Sequence, residues 1–168
     1  MIDRHIAICP GTYDPVTYGH LDIIRRASRL FDEVVVAVVR QPPRKQLTFS
    51  PEERVQFLAD ETADIQNVRI ETFSDLVVEF ARRVGAIAMV KGLRTISDFD
   101  YEFQMVHLNK GLAPEIETTF IMSSAEFSFV SSSGVKEIAA FGGNVTELVP
   151  PSVARAFARY HPDEPGEI

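Results

Sequence analysis

Short apolar runs rich in valine and isoleucine recur at residues 6–9, 34–39, 68–70, 87–90 and 120–122, and between them apolar side chains fall at helical spacing. Runs of this kind predict strands buried on both faces, as in a parallel sheet, while a repeat of three to four residues predicts helices that cover such a sheet. The first helix carries Leu21, Ile24, Ala27, Leu30 and Phe31 on one face. The second starts at Ser50-Pro51-Glu52-Glu53, a capping box with proline at the first helical position. Further helices are expected over 76–84, 98–110, 131–141 with Gly142-Gly143 as its stop, and 151–160. Residues 161–168 read as a frayed tail. No repeat, low-complexity tract or linker interrupts the alternation, so the pattern predicts a single α/β domain over residues 1–160.

The expected architecture is Rossmann-like: a five-stranded parallel sheet, wound right-handedly, with helices on both faces. In open sheets of this type ligands bind at the carboxyl ends of the strands. Those ends are the stretch after Cys9 and residues 40–49, 72–75, 91–97 and 123–133, which hold most of the unusual polar residues.

Composition narrows the partners more than the fold. At 168 residues, 45% hydrophobic and 24% charged, the chain is an ordinary globular domain able to bury about two-thirds of its unfolded surface. The net charge of −7 argues against a broad nucleic-acid surface and leaves room for small anions where a few cations converge. No apolar run approaches the ~18 residues of a spanning helix, and Met-Ile-Asp-Arg-His lacks a signal-peptide pattern, so a cytoplasmic protein without a membrane partner is expected. The one cysteine, Cys9, has no internal disulfide partner and lies in an apolar run, which reads as a small buried hydrophobe rather than a nucleophile.

The first connection, Cys9-Pro-Gly-Thr-Tyr-Asp-Pro-Val-Thr-Tyr-Gly-His20, is the most informative stretch. Gly11 and Gly19 permit close backbone approach, Thr12 offers a hydroxyl, and the following helix offers unpaired N–H groups at its positive end, which together suit an anion. The stretch contains neither Gly-Lys-Ser/Thr nor G-x-G-x-x-G, so it is not a Walker A loop or a dinucleotide fingerprint. His20 falls in the first helical turn, where it either donates to a phosphate oxygen or merely caps its helix. Lys91-Gly92-Leu93-Arg94 puts two cations at a strand end, suited to phosphate or else a solvated turn. The run from Phe127 to Ser133 is either a phosphate-holding helix start or plain N-capping, which needs one serine only. Arg44 and Lys45 read from composition as a solvent-exposed pair, and Asp98-Phe-Asp-Tyr-Glu102 as acidic residues at a helix start.

Gly-Thr-Tyr-Asp-Pro followed by Thr-x-Gly-His resembles the (Thr/His)-x-Gly-His signature of the nucleotidyltransferase superfamily, in the same place between first strand and first helix. Together with the Lys45 loop, Thr72-Phe-Ser-Asp-Leu76, KGLR, DFDYE and FSFVSSS, in that order, the chain is similar to the bacterial phosphopantetheine adenylyltransferases from about Ile6 to Tyr160. The resemblance implies roles position by position. His20 stabilises the transition state, Thr12 contacts both substrates, and Tyr13 lies beside ATP. Gly92, Leu93, Arg94, Glu102, Phe127, Ser128, Phe129, Val130, Ser131, Ser132 and Ser133 match ATP-site positions. Lys45, Val77 and Lys91 match positions on the 4′-phosphopantetheine side. Residues 40–48 are about one residue longer than the family's common loop, so Arg44 or Lys45 takes the lysine's place, and counting back from Phe49 favours Lys45. Lys91 stands where many members carry arginine, which keeps the charge and loses the bidentate fork.

The implied reaction is attack by the phosphate of 4′-phosphopantetheine on the α-phosphorus of ATP, with dephospho-CoA and pyrophosphate as products. A phosphate is already a nucleophile at neutral pH, so the chemistry asks for positioning and electrostatics rather than a base. Mg²⁺ is expected to enter with ATP. The resemblance also implies a homohexamer and CoA as a feedback ligand. A sibling enzyme acting on nicotinamide mononucleotide or glycerol phosphate, and a nucleotide-binding module without turnover, are the alternatives that sequence leaves open.

Overall fold

The computed structural model describes residues 4–43 and 46–159, and the expected alternation is present throughout them. Strands β1 (Ile6–Gly11), β2 (Glu33–Val39), β3 (Val68–Phe73), β4 (Ala88–Leu93) and β5 (Glu117–Met122) form one parallel sheet in the order β3-β2-β1-β4-β5. The helices are α1 (Tyr18–Ala27), α2 (Pro51–Thr62), α3 (Val77–Arg83), α4 (Ile96–Leu112), α5 (Ser132–Ala140) and α6 (Pro151–Arg159), with a short 3-10 turn over Ala125–Phe127.

Side chains on a strand alternate between faces, and here the alternation separates two cores. Ala7 and Cys9 of β1 and Val34, Val36 and Val38 of β2 pack with Leu21, Ile24, Leu58, Val135 and Val153 from α1, α2, α5 and α6. Ile8, Val35, Ala37 and Met89 face the other way, onto Val78, Phe80 and Ala81 of α3 and onto Ala113 and Ile116. Both faces being covered, β2 is apolar from Val34 to Val39, which is why it reads as a valine run interrupted only by Ala37. The edge strands β3 and β5 are only half-buried and accept Arg69, Glu71, Thr118 and Thr119. Each side chain fully withdrawn from water contributes roughly 1.5–3 kcal/mol, so the central three strands carry most of the stabilisation.

The caps explain where the helices begin and stop. Ser50 Oγ accepts from Glu53 N–H at 3.2 Å while the Glu53 carboxylate accepts from Ser50 N–H at 2.8 Å, the reciprocal box expected for α2. At the end of α5, Gly142 takes φ 73° and the N–H groups of Gly142 and Gly143 return to the carbonyls of Ala139 and Ile138. Expectations for α1 and β4 need correction. Leu30 is 65% exposed, because α1 ends at Ala27 and its apolar stripe ends with it. Lys91, Gly92 and Leu93 belong to β4 rather than to the loop after it, since backbone pairing with β5 continues through Leu93 opposite Met122 whatever the side-chain polarity.

The strand order reverses at β1: β2 and β3 lie on one side, β4 and β5 on the other. The crevice that such a reversal opens lies at the carboxyl ends of β1 and β4, where Gly11 and Leu93 end their strands. Helix α4 flanks it and is unusual in having no buried residue, with Ile96, Phe99, Tyr101, Phe103, Leu108 and Leu112 all exposed. Among the described residues no helix is long and apolar enough to cross a membrane.

Candidate active site

A cleft of about 600 Å³ occupies the crevice, bordered by the first loop, α1, β4, α4 and the start of α5. His20 lines it from the first turn of α1. Thr17 is the N-cap of α1 and His20 is the third residue after it, so the two close a capping box. Thr17 Oγ1 accepts from His20 N–H at 3.4 Å, and His20 Nδ1 accepts from Thr17 N–H at 3.0 Å. The Thr17 hydroxyl also lies 3.0 Å from Nδ1. A ring nitrogen that accepts a backbone N–H carries no proton in the neutral imidazole, so the proton is on Nε2. That nitrogen lies across the ring from the cap, and it is the donor His20 has to offer the cleft. Burial, with repulsion from the Arg94 guanidinium added, holds the imidazole down to about 4.

Tyr13 steadies this ring from the side. Its centroid lies 5.1 Å from that of His20 in an edge-on arrangement, and its hydroxyl donates to Cys9 O at 2.8 Å. The residue takes φ 52°, a left-handed conformation that costs a side-chain-bearing residue on the order of 1–3 kcal/mol and is held here by burial on all sides. Gly11 is required by this packing, since a Cβ there would stand 2.9 Å from the tyrosine ring. Cys9 is buried, and burial pushes its thiol up to about 12, which leaves it inert as the sequence suggests.

Two buried charges under the first loop escaped the sequence reading. Arg54 of α2 is fully buried, and its guanidinium donates to the carbonyls of Thr12 at 2.7 Å, Val39 at 2.9 Å, Arg40 at 2.7 Å and Phe49 at 3.2 Å. Burial lowers its pKa from the usual value, with Asp14 nearby opposing the shift. The available signal was its spacing: Arg54 shares the inward stripe of α2 with Phe57 and Leu58, where an arginine needs a reason. Asp14 is 3% exposed and accepts from Thr48 N–H, Phe49 N–H and the Lys136 ammonium.

The opposite wall carries Lys91 and Arg94. Lys91 Nζ stands 3.5 Å from a Glu102 carboxylate oxygen. Arg94 donates through Nε and Nη2 to Asp98 and through Nη1 to Val130 O at 2.9 Å, with N–H donors left over. At the start of α5 the three serines divide the work. Ser131 Oγ caps the helix by accepting Gly134 N–H at 3.0 Å, Ser132 Oγ donates to Pro15 O at 2.8 Å, and Ser133 is exposed at the cleft. Two helix starts, two cations and a neutral Nε2–H around one cavity form an environment for a polyphosphate.

Comparison with known proteins gives one answer. The Cytidylyltransferase-like family profile matches residues 8–138. Over 164 residues the chain is 52% identical to the phosphopantetheine adenylyltransferase of Rubrobacter xylanophilus, covering 98% of this chain and 99% of that protein. The phosphopantetheine adenylyltransferase of Desulfitobacterium hafniense is 52% identical over 159 residues, 94% of this chain and 97% of that one. That of Thermosynechococcus vestitus is 53% identical over 150 residues, 89% of each. The chain belongs to the phosphopantetheine adenylyltransferase family.

Of the positions to which the phosphopantetheine adenylyltransferase resemblance assigns roles, the structure gathers Thr12, Tyr13, His20, Lys91, Gly92, Arg94, Glu102, Val130, Ser131, Ser132 and Ser133 around the cleft. Leu93 is buried behind it. Phe127 stacks on Tyr18, Ser128 Oγ donates to Ala125 O, and Phe129 is 74% exposed, so these three lie outside the cavity. Val77 starts α3 and packs against the core on the other face of the sheet. Lys45 and Arg44 lie outside the described residues, as do residues 160–168.

Proposed function

We propose that this chain catalyses adenylyl transfer from ATP to 4′-phosphopantetheine, giving dephospho-CoA and pyrophosphate in the cytoplasmic synthesis of coenzyme A. A phosphate oxygen of 4′-phosphopantetheine forms a bond to the α-phosphorus as the bond to the bridging oxygen breaks, and pyrophosphate leaves with that electron pair. No proton has to be removed from the nucleophile, so no general base is needed. The observation that carries the reading is the neutral His20, whose capping box leaves Nε2–H as a fixed donor beside Lys91 and Arg94. In this reading Nε2–H donates to an α-phosphate oxygen as charge builds on it, with Lys91 and Arg94 supplying the remaining positive field.

Thr12, Gly92, Arg94, Glu102 and the run from Phe127 to Ser133 serve ATP, while Thr12, Lys45, Val77 and Lys91 serve the acceptor. Tyr13 serves ATP through its backbone and ring edge, because its hydroxyl is engaged by Cys9 O. Mg²⁺ arrives bound to the ATP phosphates, a role that hard cation fills with few protein ligands. The two carboxylates at the cleft, Asp98 and Glu102, are each turned toward a protein cation, Arg94 and Lys91. Assembly as a homohexamer, with CoA as feedback ligand, completes the proposal, and the uncovered apolar residues of α4 support a further copy as their cover.

Pyrophosphate release tests it, with Mg-ATP or Mg-CTP and one of 4′-phosphopantetheine, nicotinamide mononucleotide, glycerol phosphate or no acceptor. Release with ATP and 4′-phosphopantetheine alone is expected. Release with another pair would assign a sibling activity, and binding of ATP without release from any acceptor would leave a nucleotide-binding module.

A further inference from the structure

Asp14 is a buried carboxylate whose partners belong to two segments far from it in sequence. Its Oδ1 accepts from Phe49 N–H at 2.8 Å and Thr48 N–H at 3.2 Å, and its Oδ2 from Thr48 N–H at 2.9 Å and Lys136 Nζ at 3.0 Å. Asp14 itself sits in the first loop, adjoining Tyr13. Thr48 and Phe49 end the connection that leaves β2 and carries Lys45, on the acceptor side of the proposed site. Lys136 is on α5, the helix that opens with Ser131, Ser132 and Ser133 on the nucleotide side. A second bond, Ser132 Oγ to Pro15 O, draws the same helix onto the next residue of the same loop.

The Phe49 end of these bonds is itself fixed. Phe49 O accepts from Arg54 Nε, and its ring packs edge-on between Phe57 at 5.2 Å and Phe157 at 5.0 Å. The 48–49 segment therefore has little freedom apart from its attachment to Asp14. Charge-assisted hydrogen bonds to a carboxylate withdrawn from water are among the stronger directional contacts a fold can make.

We infer that Asp14 and Lys136 are positioning residues that set the spacing between the acceptor side and the nucleotide side of the cleft. The inference rests on the adenylyl-transfer reading above. In-line displacement depends steeply on that spacing, and a misplacement of about 1 Å costs on the order of 10²-fold in rate, whereas each substrate held on its own side loses little affinity. Removing the link thus lowers kcat more than it raises either KM.

The test compares wild type with Lys136→Met, Lys136→Arg, Asp14→Asn and the Asp14→Asn, Lys136→Met pair. Melting temperature, kcat and both KM values are measured well below the melting transition. Lys136 is partly exposed, so its variants fold even if those of Asp14 do not. Lys136→Met is expected to lower kcat by roughly 10- to 100-fold with both KM values within about threefold. Lys136→Arg, which keeps a charged donor, returns most of the rate. The double variant falls no further than Asp14→Asn alone, as for two groups acting through one contact.

An unchanged kcat in Lys136→Met would overturn the inference, leaving the pair a matter of stability only. A rise in the KM of ATP alone would equally overturn it, by making Lys136 a direct nucleotide ligand. Wild type that releases no pyrophosphate from ATP and 4′-phosphopantetheine would instead defeat the underlying reading, and that control separates the two failures.

Discussion

His20 should remain uncharged far below the pH at which a free histidine titrates. Three features act together: burial, the Arg94 guanidinium, and the Thr17 N–H pointing at Nδ1, which a proton on that nitrogen would oppose. The unfolded chain takes up its proton near 6.5 and the folded chain only near 4. Between those values the unfolded state binds more protons than the folded one, so stability is full above pH 6.5, falls as pH drops through the interval, and levels off below 4. At about 1.36 kcal/mol per pH unit, the loss from this one group is about 3 kcal/mol. Nitrogen-15 spectra of histidine-labelled protein, titrated from pH 8 to 4, report the ring directly and without substrate. The expected signature is an Nε2–H tautomer with unprotonated Nδ1 that persists below pH 5. A midpoint near 6.5, or a proton on Nδ1 at neutral pH, would refute both the tautomer and the argument from the capping box.

Other substitutions separate the roles of the loop residues. His20→Ala is expected to lower kcat by roughly 10²–10³ while ATP still binds, measured by pyrophosphate release and calorimetric titration. His20→Gln can close the same capping box, so its melting temperature should exceed that of His20→Ala without recovery of the rate. Gly11→Ala drives a methyl against the buried Tyr13 ring, and should destabilise by about 1–3 kcal/mol in denaturant unfolding while disturbing the support of His20. Arg54→Met leaves the carbonyls of Thr12, Val39, Arg40 and Phe49 without their donor, and should cost at least about 3 kcal/mol, with Arg54→Lys recovering part of it.

Local chemistry was legible in the sequence, and distant partnership was not. The valine run of β2 and the box at Ser50 announce themselves because their causes lie within a few residues. Helix α4 starts at Ile96, two residues ahead of the expected Asp98, because Thr95 Oγ1 caps it by accepting from Asp98 N–H. Of the two readings open for His20, helix cap or phosphate donor, the structure shows the first: Nδ1 caps, and Nε2–H is thereby left as the donor the second needs. Ser131 likewise caps α5 while Ser132 bonds to Pro15, a contact spanning 117 positions of sequence. Asp14 and Lys136 stand 122 positions apart, and nothing in the periodicity of either segment points to the other. A buried charge is recognisable from its own stripe, as with Arg54, but its partners come only from the fold.

Helix α4 has two sides with opposite obligations. Asp98, Tyr101 and Glu102 line the cleft, while Ile96, Phe103, Leu108 and Leu112 expose apolar surface elsewhere along the same 17 residues. With no fully buried side chain of its own, the helix meets the sheet through Phe99 against Phe120 and through ion pairs to β4 and β5, from Glu102 to Lys91 and from Lys110 to Glu117. Anything that shelters its outer face therefore also stiffens the wall against which Lys91 and Arg94 are oriented. Where that shelter is a further copy of the chain, as in the assembly proposed above, rate per molecule becomes a function of protein concentration, and assays run at high dilution measure a softer site than those run at high concentration.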